Sequence, residues 1–133
     1  LGEYFAVGSQ TSASGKQTIF ASRIVGNFST EDENDPRDVE GEAKAVAASG
    51  ANRVLILCNV ITPGGSRDIW LTKVTRDFVD EPGFPITFGA EGDDDTASAV
   101  TEMPNGDIAV LGTMNLVNQN KIVLIKLKAN GEF

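Results

Sequence analysis

An internal repeat constrains this chain more than any other feature. The segment Ile19-Phe20-Ala21-Ser22-Arg23-Ile24 returns as Ile69-Trp70-Leu71-Thr72-Lys73-Val74 and again as Ile122-Val123-Leu124-Ile125-Lys126-Leu127. Each copy opens on Ile, carries a cation fifth and closes on an aliphatic. A second column lies upstream of each copy: Tyr4-Phe5-Ala6-Val7-Gly8, Val54-Leu55-Ile56-Leu57-Cys58 and Ile108-Ala109-Val110-Leu111-Gly112. A third occurs twice, as Ala43-Lys44-Ala45-Val46 and Ala97-Ser98-Ala99-Val100. Columns recurring in one order define a unit of about fifty residues, and self-similarity of that period marks stacked supersecondary units.

Each column predicts a strand. The runs are short, rich in β-branched and aromatic residues, and bounded by Gly, Asn, Pro and Ser. Turn-rich links join the second column to the Ile19, Ile69 and Ile122 column at Ser9–Thr18, Thr62–Arg67 and Thr113–Asn120. Tighter turns are expected at Ser49–Asn52 and Pro104–Asp107, where Asn-Gly suits a two-residue hairpin. A further turn follows the last strand at Ala129-Asn130-Gly131. The stretch Glu40–Ala48 has a rival helical reading, but its repeat partner Thr96–Glu102 is β-branched and runs into Pro104, which favours strand. A fourth strand per unit is expected at Pro85–Gly89 in the second unit. In the first, the equivalent stretch is the acidic run Glu31–Pro36, with Val39 as its only aliphatic, so a weak strand or a displacing loop is expected.

Several function classes fall away. With 19 acidic against 11 basic residues, a formal charge of −8 and cations scattered singly, the surface repels phosphate backbones, so nucleic acid is not the expected partner. The longest apolar run, Val54–Cys58, is far too short to cross a bilayer, so no transmembrane segment is expected. Cys58 is the single cysteine, which excludes an internal disulfide, and its apolar neighbours point to a small buried hydrophobe. Without histidine, no Ser-His-Asp or Cys-His device can be assembled from this chain alone.

A four-stranded antiparallel unit of this size matches a β-propeller blade, whose two sticky faces require neighbours. The residues Phe88-Gly89, Gly92-Asp93-Asp94-Asp95, Ala97 to Val100, Asn105-Gly106-Asp107, Ile108 to Thr113, Ile125-Lys126-Leu127 and Asn130-Gly131 carry a resemblance. This pattern is similar to the repeats of bacterial exported β-propeller proteins and surface lipoproteins of the Bacteroidetes type. It covers the second and third units well and the first only in part; Cys58-Asn59 stands where those repeats carry Gly-Thr or Gly-Ser. The resemblance implies an all-β chain of antiparallel propeller blades, a partial propeller of about two and a half to three four-stranded blades. The segment 1–133 divides into units near 1–42, 43–96 and 97–133. Because propellers close with at least about four blades and the chain begins at the second strand of one unit and stops just after the third of another, the expectation is an excerpt of a larger propeller or a chain completed by other subunits. The rival fold is a small closed sandwich in which the repeat records duplication alone.

The candidate chemistry is sparse. Asp93, Asp94 and Asp95 could offer oxygens to Ca²⁺, the one cofactor candidate, but their spacing is not that of an EF-hand and a solvated loop is the plainer reading. The acidic cluster Glu31–Asp38 reads as a mobile surface insertion or, less favourably, a cation site. A hydrolase built on paired carboxylates is the alternative function, with its acids partly outside this chain. Trp70 and Tyr4 fall in apolar columns and read as packing rather than sugar platforms. Ile19, Ile69 and Ile122 read as structural repeat positions that open equivalent inner strands of successive units. The cations Arg23, Lys73 and Lys126 read as structural, their stems between sheets and their heads at solvent or a carboxylate. The expected function is a non-catalytic structural or binding module of an exported protein. It would sit extracellularly or on a bacterial outer membrane, lipid-anchored through a leader upstream. A protein or glycan ligand would be met by the rim loops Ser9–Gln17, Thr62–Arg67 and Asn115–Asn120.

Overall fold

Short apolar runs rich in β-branched residues form sheets throughout, and no helix occurs among the described residues. This computed structural model describes residues 3–26, 31–90 and 92–133, with side chains from Arg37 onward in the strand that begins at Glu31. The readings placed on the side chains of Glu31–Pro36 lie outside the described residues.

Nine strands follow in order: β1 Glu3–Thr11, β2 Gln17–Val25, β3 Glu31–Ser49, β4 Arg53–Ile61, β5 Arg67–Thr75, β6 Ile86–Phe88, β7 Thr96–Glu102, β8 Ile108–Leu116 and β9 Gln119–Leu127. All pairing is antiparallel. One sheet runs β1-β2-β3-β4-β5-β6 and a second runs β7-β8-β9. The long strand β3 belongs to two parts of the first sheet: its residues up to Glu40 pair with β2, and those from Gly41 pair with β4. At the changeover Gly41 has a φ of 153°, and a Cβ there would strike the Asn59 carbonyl and lie 2.9 Å from the Val60 Cα. Glycine is therefore required where the strand passes from one partner to the other. The acidic stretch is thus a paired strand, in line with the weak strand expected there, which corrects the alternative reading as a mobile surface insertion. At β2's outer flank, charges and Pro36 suit an edge strand that must not recruit further pairing.

The repeat is conserved in register. Ser9 faces Ile19, Asn59 faces Ile69 and Thr113 faces Ile122, and every following pair steps in parallel down the three hairpins. Even the irregularities recur, since β3 and β7 bulge at Lys44 and Ser98 respectively, the same position of the third column. Five turns share one construction, with the first residue's N–H donating to the carbonyl four residues on: Ser12–Lys16, Thr62–Ser66, Thr75–Val79, Met103–Asp107 and Lys128–Glu132. The fourth residue of each has positive φ, so the Asn105-Gly106 turn is a longer loop than the two-residue hairpin expected. That tighter form occurs at Val117-Asn118, between Leu116 and Gln119, where the sequence suggested an extended loop.

Successive residues of β4 and β5 point to opposite faces, and both faces are covered. Val54, Ile56, Cys58 and Trp70 pack with Ile19, Ala21, Phe5 and Val7 of β1 and β2. Leu55, Leu57, Ile69 and Leu71 pack with Ala97, Ile108, Val110 and Leu127 of the second sheet. The portion of the first sheet around β4 and β5 therefore lies between β1-β2 on one side and β7-β8-β9 on the other. Trp70 is buried, as expected of an apolar column, with the Arg37 guanidinium 5.7 Å from its ring centre. Tyr4 departs from its column: it is 45% exposed where its equivalents Val54 and Ile108 are buried.

Candidate functional site

The residues that open β2, β5 and β7 gather at one end of the stacked sheets, together with the turns Ser12–Lys16 and Thr62–Ser66. Two adjoining clefts form there. One, about 420 Å³, is lined by Gln17, Glu40, Gly41, Glu42, Asn59, Ile61 and Arg67. The other, about 560 Å³, is lined by Glu42, Lys44, Asn59, Arg67, Thr96, Ala97 and Ser98. They share Glu42, Asn59 and Arg67. Both bulged residues, Lys44 and Ser98, are aimed at this end, consistent with the way a bulge redirects a side chain. The lining is polar and of mixed charge, and Lys44 Nζ lies 3.3 Å from Glu42 Oε1. Such a surface can hydrogen-bond a polar ligand through several side chains at once. Of the rim loops expected from sequence, large parts of Ser9–Gln17 and Asn115–Asn120 are strand, and only their tips are turns.

A hydrogen-bonded framework holds this end together. Buried Asn59 accepts the Ala97 N–H at 2.7 Å through Oδ1, which joins β4 to the bulged start of β7. Asp95 is fully buried; its Oδ2 accepts the Ala90 N–H at 3.1 Å and its Oδ1 accepts the Asn115 N–H at 3.0 Å. Asp94 Oδ1 accepts the Arg67 N–H at 2.9 Å, and Asp93 Oδ1 accepts from the Asn115 amide at 3.2 Å. The three carboxylates of the acidic triplet thus serve three different sets of donors. Among the described residues, no three His, Cys, Asp or Glu side chains converge as a metal set. Asp68, which the sequence reading passed over, lies beside Asp95. Desolvation, and secondarily the Asp95 charge, raise its carboxyl above the ordinary 3.8. Its Oδ1 and that of Asn115 are buried without a hydrogen-bond partner. Only an isolated Asp preceding the Ile69 column could have flagged it.

The cation column ties each repeat to the next. Arg23 is 8% exposed and its Nη1 donates to the Arg76 carbonyl and the Asp77 carboxylate, each at 3.0 Å. Lys73 donates to the Ala129 carbonyl at 3.2 Å, and Ala129 is the repeat equivalent of Arg76. Lys126 instead reaches Asp107 of its own sheet at 3.4 Å and is 64% exposed. A second network missed from sequence joins Arg37 to Asp80 at 3.0 Å, with Thr72 donating to the same oxygen at 2.5 Å. Cys58 sits deep in the core, its thiol pushed up to about 12 by burial, with the Arg37 charge opposing.

No protein-family model matches this chain, and no curated protein matches it. Among the described residues, no helix is long and apolar enough to cross a membrane.

Proposed function

We propose that the chain is a partial β-propeller serving as a non-catalytic structural and binding module, which meets a protein or glycan ligand across the twin clefts at the Arg67 end. One observation carries the reading: equivalent residues of the repeat take equivalent registers and turn equivalent faces to the following sheet, as blades of a propeller do. The exported, surface-attached setting rests on the resemblance of the repeat alone. Polar clefts assembled between successive units suit recognition through hydrogen bonds supplied by turns on a rigid scaffold.

The test is retention on an array of glycans and peptides, run beside a panel of glycoside substrates. Binding is expected to weaken at least about tenfold in Arg67→Ala and Lys44→Ser, each worth a charge-assisted contact. Asn105→Ala, on the Met103–Asp107 turn, should leave it unchanged. No retained ligand would remove the binding reading. Hydrolysis of any glycoside would replace it with the alternative, a propeller hydrolase with carboxylates partly outside this chain.

A further inference from the structure

We propose that the twin clefts take a glycan built with monocarboxylate sugars, and that the Arg67 guanidinium is the group that holds the carboxylate. The proposal names the ligand class of the Arg67 end and rests on that end being a binding surface. Five arginines occur in the chain, and four of them pair with carboxylates. Arg23 meets Asp77, Arg37 meets Asp80, Arg53 meets Glu81 and Arg76 meets Glu3. Arg67 is the exception. It lines both clefts, and among the described residues its guanidinium has no ion-pair partner.

The other charges of the two clefts are already matched. Lys44 lies 3.3 Å from Glu42, and Lys16 lies 3.5 Å from Glu40. With each acid beside a lysine, Arg67 contributes one uncompensated positive charge where the clefts meet, in a chain whose formal charge is −8. Such a site balances one negative charge, and the planar guanidinium offers its forked N–H groups to a carboxylate in bidentate fashion. A phosphate monoester, at roughly −1.5 to −2 near neutral pH, would carry more charge than the site balances. The base of the residue is fixed as well. Its N–H donates to Asp94 Oδ1 at 2.9 Å, and its carbonyl accepts the Asp95 N–H at 2.8 Å. The acidic triplet thus bonds the main chain of Arg67 and leaves the head group for a ligand, which lowers the ordering cost of binding.

The rest of the lining selects a sugar over a peptide. Gln17, Asn59, Thr96 and Ser98 add amides and hydroxyls, while Ile61 and Ala97 supply the apolar side chains. A protein partner is anchored by large apolar or aromatic side chains sunk in pockets, and neither cleft offers such a seat. Sugar hydroxyls both donate and accept, as a lining of carboxylates, amides and hydroxyls requires. Two clefts that share Glu42, Asn59 and Arg67 receive neighbouring rings of one chain, with the carboxylate at the common wall.

Titration calorimetry on the 133-residue chain tests this. The probes are tetramers of galacturonate, glucuronate and mannuronate, sialyllactose, the methyl ester of each, and tetraglutamate. At least one acid is expected to bind about ten- to a hundredfold more tightly than its own ester, the ratio one charge-assisted pair supplies. Arg67→Gln should bring that acid and its ester to the same affinity. Arg67→Lys, which keeps the charge but loses the fork, should retain only part of the ratio. Lys128→Gln removes the same charge from the turn at the opposite end and should retain all of it. Far-UV circular dichroism checks that each variant is folded. Equal binding of acids and esters by the parent overturns the proposal, and so does a ratio that survives in Arg67→Gln. Tetraglutamate bound more tightly than every acidic glycan also overturns it, in favour of an acidic peptide. Binding of none of these probes overturns it too, and retention of neutral glycans on the array would then leave the Arg67 end standing as a binding surface.

Discussion

Replacing Asp95 by Asn keeps the shape of the side chain and removes one of its two acceptors. In the native site both oxygens are used, Oδ2 by the Ala90 N–H and Oδ1 by the Asn115 N–H, with no solvent at hand to substitute. An amide offers one carbonyl oxygen, so whichever way it turns, one backbone donor faces an NH₂ group. A lost hydrogen bond to a charged acceptor is worth ~1.5–3 kcal/mol, and a buried donor left unmet adds ~1–3 kcal/mol. Removing the Asp95 charge relieves the neighbouring Asp68 carboxyl and returns part of this, leaving a net loss of ~2–4 kcal/mol. For a chain of this size that lowers the melting midpoint by roughly 6–15 °C. Urea and thermal unfolding followed by circular dichroism would read it, in buffer with a chelator and again with millimolar Ca²⁺. The same loss is expected in both. A variant within about 0.5 kcal/mol of the parent would show that Asp95 is not the acceptor described. A loss seen only with Ca²⁺ present would return the acidic triplet to the role of a metal site.

Three further outcomes are expected. Gly41→Ala drives a Cβ into the Asn59 carbonyl at a φ that L residues avoid, and urea titration should show a loss of roughly 2–5 kcal/mol; a neutral result would refute the forced crossing of β3. Asp68 holds its proton longer when folded than when unfolded, so its contribution to stability falls as pH rises from 3.8 through its raised folded value. Asp68→Asn should therefore flatten that slope in urea titrations from pH ~4 to ~8 and be the more stable protein at neutral pH; an unchanged slope would exclude the site. Cys58 should resist a thiol-specific chromogenic reagent at pH ~8 until urea unfolds the chain, and prompt labelling of the native protein would contradict its burial.

The sheet class and most strand positions were legible because apolar columns repeat, and a column that recurs three times averages out the ambiguity of any single run. The equivalence of Ile19 and Ile69 followed from the same pattern. What escaped was set by context. The stretch Glu31–Glu40 looks like a loop because its charges and Pro36 oppose strand formation, yet an edge position tolerates both and needs only β2 to pair with. Val117 at a φ of 53° gives no local cue for a two-residue turn, and the pairing of β8 with β9 imposes it. Asp93, Asp94 and Asp95 are adjacent in sequence, yet a triplet that suggests one cation site accepts from the Asn115 side chain and from the Arg67, Ala90 and Asn115 backbone N–H groups. Arg67, Glu42 and Asn59 share a cleft only because bulges and turns bring three strand ends together, a relation no local pattern encodes.

A single unbroken length of backbone, β3, is claimed by β2 along its first half and by β4 along its second. Fraying at either side would therefore drag the other out of alignment, so the first six strands should melt and exchange their amide protons as one cooperative body. The final three strands form their own sheet, seated on that body by Ile108, Val110 and Leu127, so any separate loosening of them would first have to open that apolar seam.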